Sequence, residues 1–172
     1  MHPPGTLSFR DYLATALVVE TLMLILFRVT RSPFTGRDIN HWYDKFRLTA
    51  VFMDMSSYML GYYISRSISG FWSSWGSFAL IVLIVQISHD LLFYHLVLKP
   101  FPMNRNDIMD DLKDYADNVG VGAVIGDSFM YLIGIPILYQ MQHVSAFNKE
   151  FVSLACLYLI GYLIYQKPLP NP

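Results

Sequence analysis

Long apolar runs alternate with short polar segments along the whole chain. Five runs stand out, at 12–29, 48–64, 78–98, 119–139 and 151–165, each holding one acidic residue or none. A helix crossing a bilayer needs roughly 17–25 mostly apolar residues, so the pattern predicts five membrane spans, the last the shortest. The connection at 104–118 carries Ile108, Met109, Leu112 and Tyr115 at three- and four-residue spacing, opposite Asp107, Asp110, Asp114 and Asp117. That periodicity predicts a short amphipathic helix along the membrane surface. The fold class is therefore all-α, a polytopic transmembrane helix bundle forming a single domain over 1–172.

The runs also repeat. Ala50-Val51-x-x-Asp54-x-x-x-Tyr58-x-x-Gly61 in the second run returns as Ala123-Val124-x-x-Asp127-x-x-x-Tyr131-x-x-Gly134 in the fourth, at a constant offset of 73. The preceding segments echo each other more loosely, with Asp38-Ile39 against Asp107-Ile108 and Lys45 against Lys113. The implied unit is a span, a charged connection and a second span. Because two spans restore the chain direction, two such units would be related by an axis along the membrane normal. The fifth run stands outside the pair.

Composition agrees with a membrane protein: 54% of the 172 residues are hydrophobic and 15% charged, where soluble domains carry about a quarter charged. A water-soluble bundle would need polar outer faces that these runs lack. A net charge of −1 without a basic stripe excludes a nucleic-acid partner, and the single cysteine, Cys156, excludes an internal disulfide. With no basic region ahead of the first run, that run is expected to be retained rather than removed as a signal peptide. Nine of the twelve bases fall on one side of the predicted spans. The predicted location is an integral membrane one, with the N-terminus outside and the C-terminus cytosolic. Trp72 and Trp75 fall in the outer connection, at the level of an aromatic belt. The proline-rich tail after Lys167 is expected to be non-helical.

The chemistry concentrates in four acids, Glu20, Asp54, Asp90 and Asp127, one in each of the first four runs and each about six to eight residues from the cytosolic end. Intramembrane carboxylates are costly and face the bundle interior. His89 and Gln86 accompany Asp90. Tyr58 and Tyr131 follow Asp54 and Asp127 by four residues, on the same helix face, where each phenol is in position to donate to its acid. Three roles fit these residues: helices stitched together by hydrogen bonds, a cation or proton site in which the carboxyls share protons or surround a cation, and a metal-dependent enzyme. His89-Asp-Leu-Leu-Phe-Tyr-His95 has the look of a histidine box. Five histidines are nevertheless too few for a two-iron centre, and a spacing of six turns the pair to different faces. No P-loop, nucleophile elbow or zinc-protease motif occurs, so neither a catalytic residue nor a cofactor is assigned.

The stretch from His89 through Lys99-Pro-Phe-Pro-Met-Asn-Arg-Asn and Lys113-Asp-Tyr-Ala to Val119-Gly-Val-Gly-Ala-Val-Ile-Gly-Asp127 resembles small multi-span membrane proteins of large icosahedral double-stranded DNA viruses. Asp90, Lys113, Tyr115, Gly126 and Asp127 are the family-like positions, and the resemblance brings no chemistry with it. It implies a structural or assembly protein of the membrane beneath a capsid. Loop residues Arg31, Arg37, Arg47, Arg105 and Lys113 would then contact capsid or other virion proteins, the bilayer and further copies of the chain. The rival expectation is a small proton- or cation-translocating protein that uses the acidic ring.

Overall fold

The computed structural model describes residues 7–30, 37–68 and 74–167. Among them the chain forms seven helices and no strand: α1 (Phe9–Arg28), α2 (Arg37–Phe46), α3 (Leu48–Ile68), α4 (Trp75–Phe93, continued by a π turn, Tyr94–Leu98), α5 (Asp107–Val119), α6 (Val121–Met141) and α7 (Ala146–Leu163). Five are long and correspond to the five apolar runs. Two are short and amphipathic. Trp72 and the tail from Pro168 onward lie outside the described residues.

The N-termini of α4, α5 and α7 are capped by their own sequence. Ser74 and Ser145 accept from the amides of Ser77 and Asn148, and Asn106 accepts from Ile108 and Met109. At the start of α1 the Asp11 carboxylate takes both the amide and the hydroxyl of Ser8, at 2.6 and 2.7 Å. α3 and α6 begin differently, each following a short helix across a residue with positive φ, Arg47 at 51° and Gly120 at 57°.

α1, α3, α4 and α6 form a ring in which α1 and α4 each pack against both α3 and α6, and α7 lies outside it against α1. Contacts at the helix ends establish the directions. Arg66 at the end of α3 donates to the Leu7 carbonyl just ahead of α1, at 2.6 Å. Trp75 at the start of α4 meets Tyr139 at the end of α6, with ring centroids 5.4 Å apart. Ring neighbours are therefore antiparallel. The Lys149 ammonium in the first turn of α7 reaches Asp11 at 2.5 Å, so α7 runs parallel to α1. α2 and α5 both sit at the opposite end, joined by Lys45 to Asp111 at 2.7 Å.

The two halves, α1–α2–α3 and α4–α5–α6, correspond closely. α3 and α6 are both 21 residues long and start 73 positions apart, and α2 and α5 end 73 positions apart. The two left-handed residues, Arg47 and Gly120, stand at the same offset. The correspondence of the short helices differs from the sequence reading. Held in register from their C-terminal ends, Asp38 pairs with Asp111 and Trp42 with Tyr115, rather than Asp38 with Asp107. The loop ahead of α5 absorbs the difference.

Fewer of the described helices are apolar enough on their own to cross a membrane than the five the sequence predicts. Two helices, Trp75–Leu98 and Val121–Met141, are long and apolar enough by themselves to cross a membrane, each with a mean hydropathy of 1.8. α1 falls short because it carries four charged residues, Arg10, Asp11, Glu20 and Arg28, the last three of them buried in the bundle. Thr15 and Thr21 satisfy themselves on the carbonyls of Asp11 and Leu17. α3 is diluted by Asp54, four serines and Arg66, and α7 starts with Lys149 and Glu150 inside its first turns. The fifth helix also begins earlier than the predicted run, because Ser145 caps it.

Candidate functional site: an acidic chamber under a tyrosine layer

The axis of the ring has two levels. Toward the end distant from α2 and α5 it is filled by aromatic residues: Tyr58, Tyr62, Tyr131 and Phe78 are all buried, with Tyr12 beside them. Tyr58 and Tyr62 share a hydroxyl hydrogen bond of 2.9 Å. Tyr62 donates to the Tyr131 carbonyl at 3.0 Å, and Tyr131 donates to the Ser57 carbonyl at 3.1 Å. These last two bonds cross the ring between α3 and α6. The phenols of Tyr58 and Tyr131 thus serve the tyrosine layer and do not donate to Asp54 and Asp127, as their four-residue spacing suggested.

The donors to the acids come from α2, a helix the sequence reading had taken only as a polar connection. Tyr43 donates to Glu20 Oε1 at 3.0 Å, and Trp42 Nε1 donates to Asp54 Oδ2 at 3.3 Å. The spacing of Ile39, Trp42, Tyr43 and Phe46 was the available signal: three- and four-residue steps that turn one apolar face toward α3. On α4, Gln86 donates to Asp90 at 2.6 Å, and His89 lies 3.3 Å from the other oxygen of Asp90.

One carboxyl from each ring helix lies at this second level. Burial raises the Tyr43 phenol well above its ordinary value, and the charges of Glu20 and Asp54 raise it further. The Tyr115 phenol on α5 is pushed up to about 12, first by burial and then by Asp127, Asp54, Asp38 and Asp90. Glu20 and Asp54 are electrostatic neighbours, and Asp127 lies within reach of Asp90, Asp54 and His89. Asp54 therefore belongs to both halves of the group. Among the described residues no three of these side chains stand close enough to hold a metal ion together.

The group is enclosed unevenly. Glu20 and Gln86 are buried, Asp54 and Asp90 are half-buried, and His89 and Asp127 are exposed. Asp127 lies on the same helical stripe as Tyr131, Gly134 and Leu138, all of them buried. Only its own level on that stripe is open. The carboxyl level on the α2/α5 side of the tyrosines, the acidic chamber, is thus less enclosed than the tyrosine layer. Cys156 is buried in an apolar cluster of α1, α2, α3 and α7 that also holds Trp42 and Tyr43.

The loop residues singled out from the sequence lie elsewhere. Arg47 donates to the Ile164 carbonyl at 3.0 Å, its guanidinium carbon 5.1 Å from the centre of the Tyr165 ring, and Lys113 donates to the Phe101 carbonyl at 2.8 Å. Arg105 is exposed, Arg37 opens α2, and Arg31 lies outside the described residues. Compared with known protein families, curated proteins and solved structures, the chain matches none.

Proposed function

We propose that the chain is an integral membrane protein in which all five long helices cross the bilayer, and that it binds and translocates protons through the acidic chamber. The carrying observation is the convergence of one carboxyl from each of four ring helices on a single level, beneath a layer of tyrosines. Carboxyls at one level of a membrane bundle interact as they titrate and offer successive stations for a proton. Among the described residues no three such side chains form a metal-binding cluster, which favours protons over a tightly held metal ion.

Several features support the membrane reading. In the most apolar stretches of α4 and α6 only 11% and 22% of residues are buried. A core helix of a soluble protein hides such a surface, whereas lipid accepts it. The long helices contain 18 to 24 residues, about 27–36 Å at helical rise, which matches a hydrocarbon core of about 30 Å. In α1 the spanning part begins at Tyr12, with Asp11 in the headgroup region. Arg28, Lys45, Arg47, Lys99, Arg105, Lys113 and Lys167 all belong to the α2/α5 end, which argues that this end faces the cytosol. The assembly role in a virion rests on the viral resemblance alone, and two of its contact residues, Arg47 and Lys113, are engaged within the chain.

The test is proton uptake into proteoliposomes, driven by an imposed membrane voltage and read by an enclosed pH dye. Wild-type protein should acidify the lumen, and Asp54→Asn and Asp127→Asn should abolish uptake while inserting normally. An absence of flux at acidic, neutral and alkaline pH would refute the proposal.

A further inference from the structure

Tyr58 and Tyr131 occupy each other's repeat. Each belongs to a Tyr-x-x-Gly sequence, Tyr58 with Gly61 and Tyr131 with Gly134. Each hydroxyl sits where the other sequence has its glycine. A methyl group on Gly134 would overlap the Tyr58 hydroxyl and come within 2.7 Å of the Tyr62 hydroxyl. A methyl group on Gly61 would overlap the Tyr131 hydroxyl and lie 2.8 Å from its ring carbon Cζ. The two glycines are thus sockets, and the two phenols enter them reciprocally across the axis of the ring. The rings themselves lie against each other, tilted by 30° with centroids 4.6 Å apart.

Three properties separate this interlock from ordinary core packing. It lies directly between the carboxylates and the far end of the bundle. The bonds that cross it end on the Ser57 and Tyr131 carbonyls, which belong to helices that persist without them. The pairing is also self-complementary, so withdrawal of one phenol removes the ring packed against the other and favours a joint release. When withdrawn, each phenol remains one turn from Asp54 or Asp127 on its own helix.

We propose that Tyr58 and Tyr131, seated in the Gly134 and Gly61 sockets, form the gate that seals the acidic chamber from the far side of the membrane. This rests on the chamber being the proton site described above. The structure is then the state open toward the α2/α5 end, and withdrawal of both phenols opens the other side.

Cysteine labelling in oriented proteoliposomes tests the gate without any ion flux. Asp127→Cys is placed in a Cys156→Ser background, and a membrane-impermeant maleimide is added to one face at a time. With both tyrosines present, labelling is expected only from the α2/α5 face. With Tyr58→Ala and Tyr131→Ala together, or with Gly61→Ala or Gly134→Ala, labelling from the far face should rise by about tenfold or more. Tyr58→Phe and Tyr131→Phe retain ring volume, guarding against a folding failure in the smaller variants. They should raise far-face labelling by a smaller factor through their lost hydrogen bonds. Far-face labelling that is already fast with both tyrosines in place overturns the gate, as does labelling unchanged in the phenylalanine and alanine variants that remain monodisperse. Labelling governed by the tyrosines without proton flux keeps the gate and removes the transport function, whereas flux with unresponsive tyrosines does the reverse.

Discussion

Replacing Lys149 by Met probes a strongly enclosed ion pair at the far end of the bundle. The ammonium lies 2.5 Å from Asp11 Oδ1, with 9% of Lys149 and 3% of Asp11 exposed. Breaking a buried pair from one side costs about 3–5 kcal/mol, because the remaining charge stays buried. Here the loss should fall near the lower limit, about 3 kcal/mol, since the other carboxylate oxygen keeps its two Ser8 donors. Asp11→Leu combined with Lys149→Met should return to within about 1 kcal/mol of wild type, because no charge is left unpaired. The neighbouring pair Arg10–Glu150 is exposed on both sides, and its removal should cost below about 1 kcal/mol. Unfolding in detergent, followed by circular dichroism, measures all of these.

The sign of the pH dependence gives a sharper check on the same pair. Burial pushes the Asp11 carboxyl up, but Lys149 and the Ser8 amide and hydroxyl outweigh it and hold the group below its ordinary 3.8. A depressed carboxyl adds stability above pH 3.8, and that contribution is lost as pH falls through the folded-state value. In Lys149→Met the burial effect is left less opposed, so mild acidification should cost the variant less stability than it costs wild type. Strict additivity of the two substitutions, or identical acid limbs in wild type and variant, would refute the reasoning.

Three further outcomes follow from single contacts. Tyr43→Phe leaves Glu20 Oε1 without its donor in a buried site and should cost about 2 kcal/mol in the same unfolding assay, with proton uptake altered rather than abolished. Gly120→Ala meets no neighbouring atom, so its expected cost of about 1–3 kcal/mol is purely conformational, at φ 57° and ψ −129°; an unchanged transition would remove the argument for that junction. The Tyr115 phenol should titrate near 12 rather than 10.0, and Asp127→Asn should bring it down, in ultraviolet difference titrations against Tyr115→Phe. Its stabilising contribution is full below pH 10.0 and is lost as pH rises toward 12.

Much of the helix map was legible from periodicity alone. The boundaries of α3 and α6 follow from apolar runs, and their equivalence from the Asp-x-x-x-Tyr-x-x-Gly repeat. α2 is not evident as a helix in a reading that takes its segment only as a charged connection, because the charges mask its apolar face of Ile39, Trp42, Tyr43 and Phe46. The role of the tyrosines was misassigned for a related reason. Spacing along one helix shows which side chains share a face, but it does not reveal what stands across from that face. Tyr58 shares a face with Asp54, yet a hydrogen-bonding partner on its own helix and a vacant socket on α6 compete for its hydroxyl and win.

Local sequence therefore determined which segments are helical, which residues are apolar and where four acids and two glycines lie along their helices. Tertiary structure decided that α2 supplies two of the acids' donors and that each glycine receives the other repeat's tyrosine. These outcomes depend on the packing of α3 and α6 across a common axis. Distances between helices depend on every side chain in the ring at once, so no window of sequence contains them.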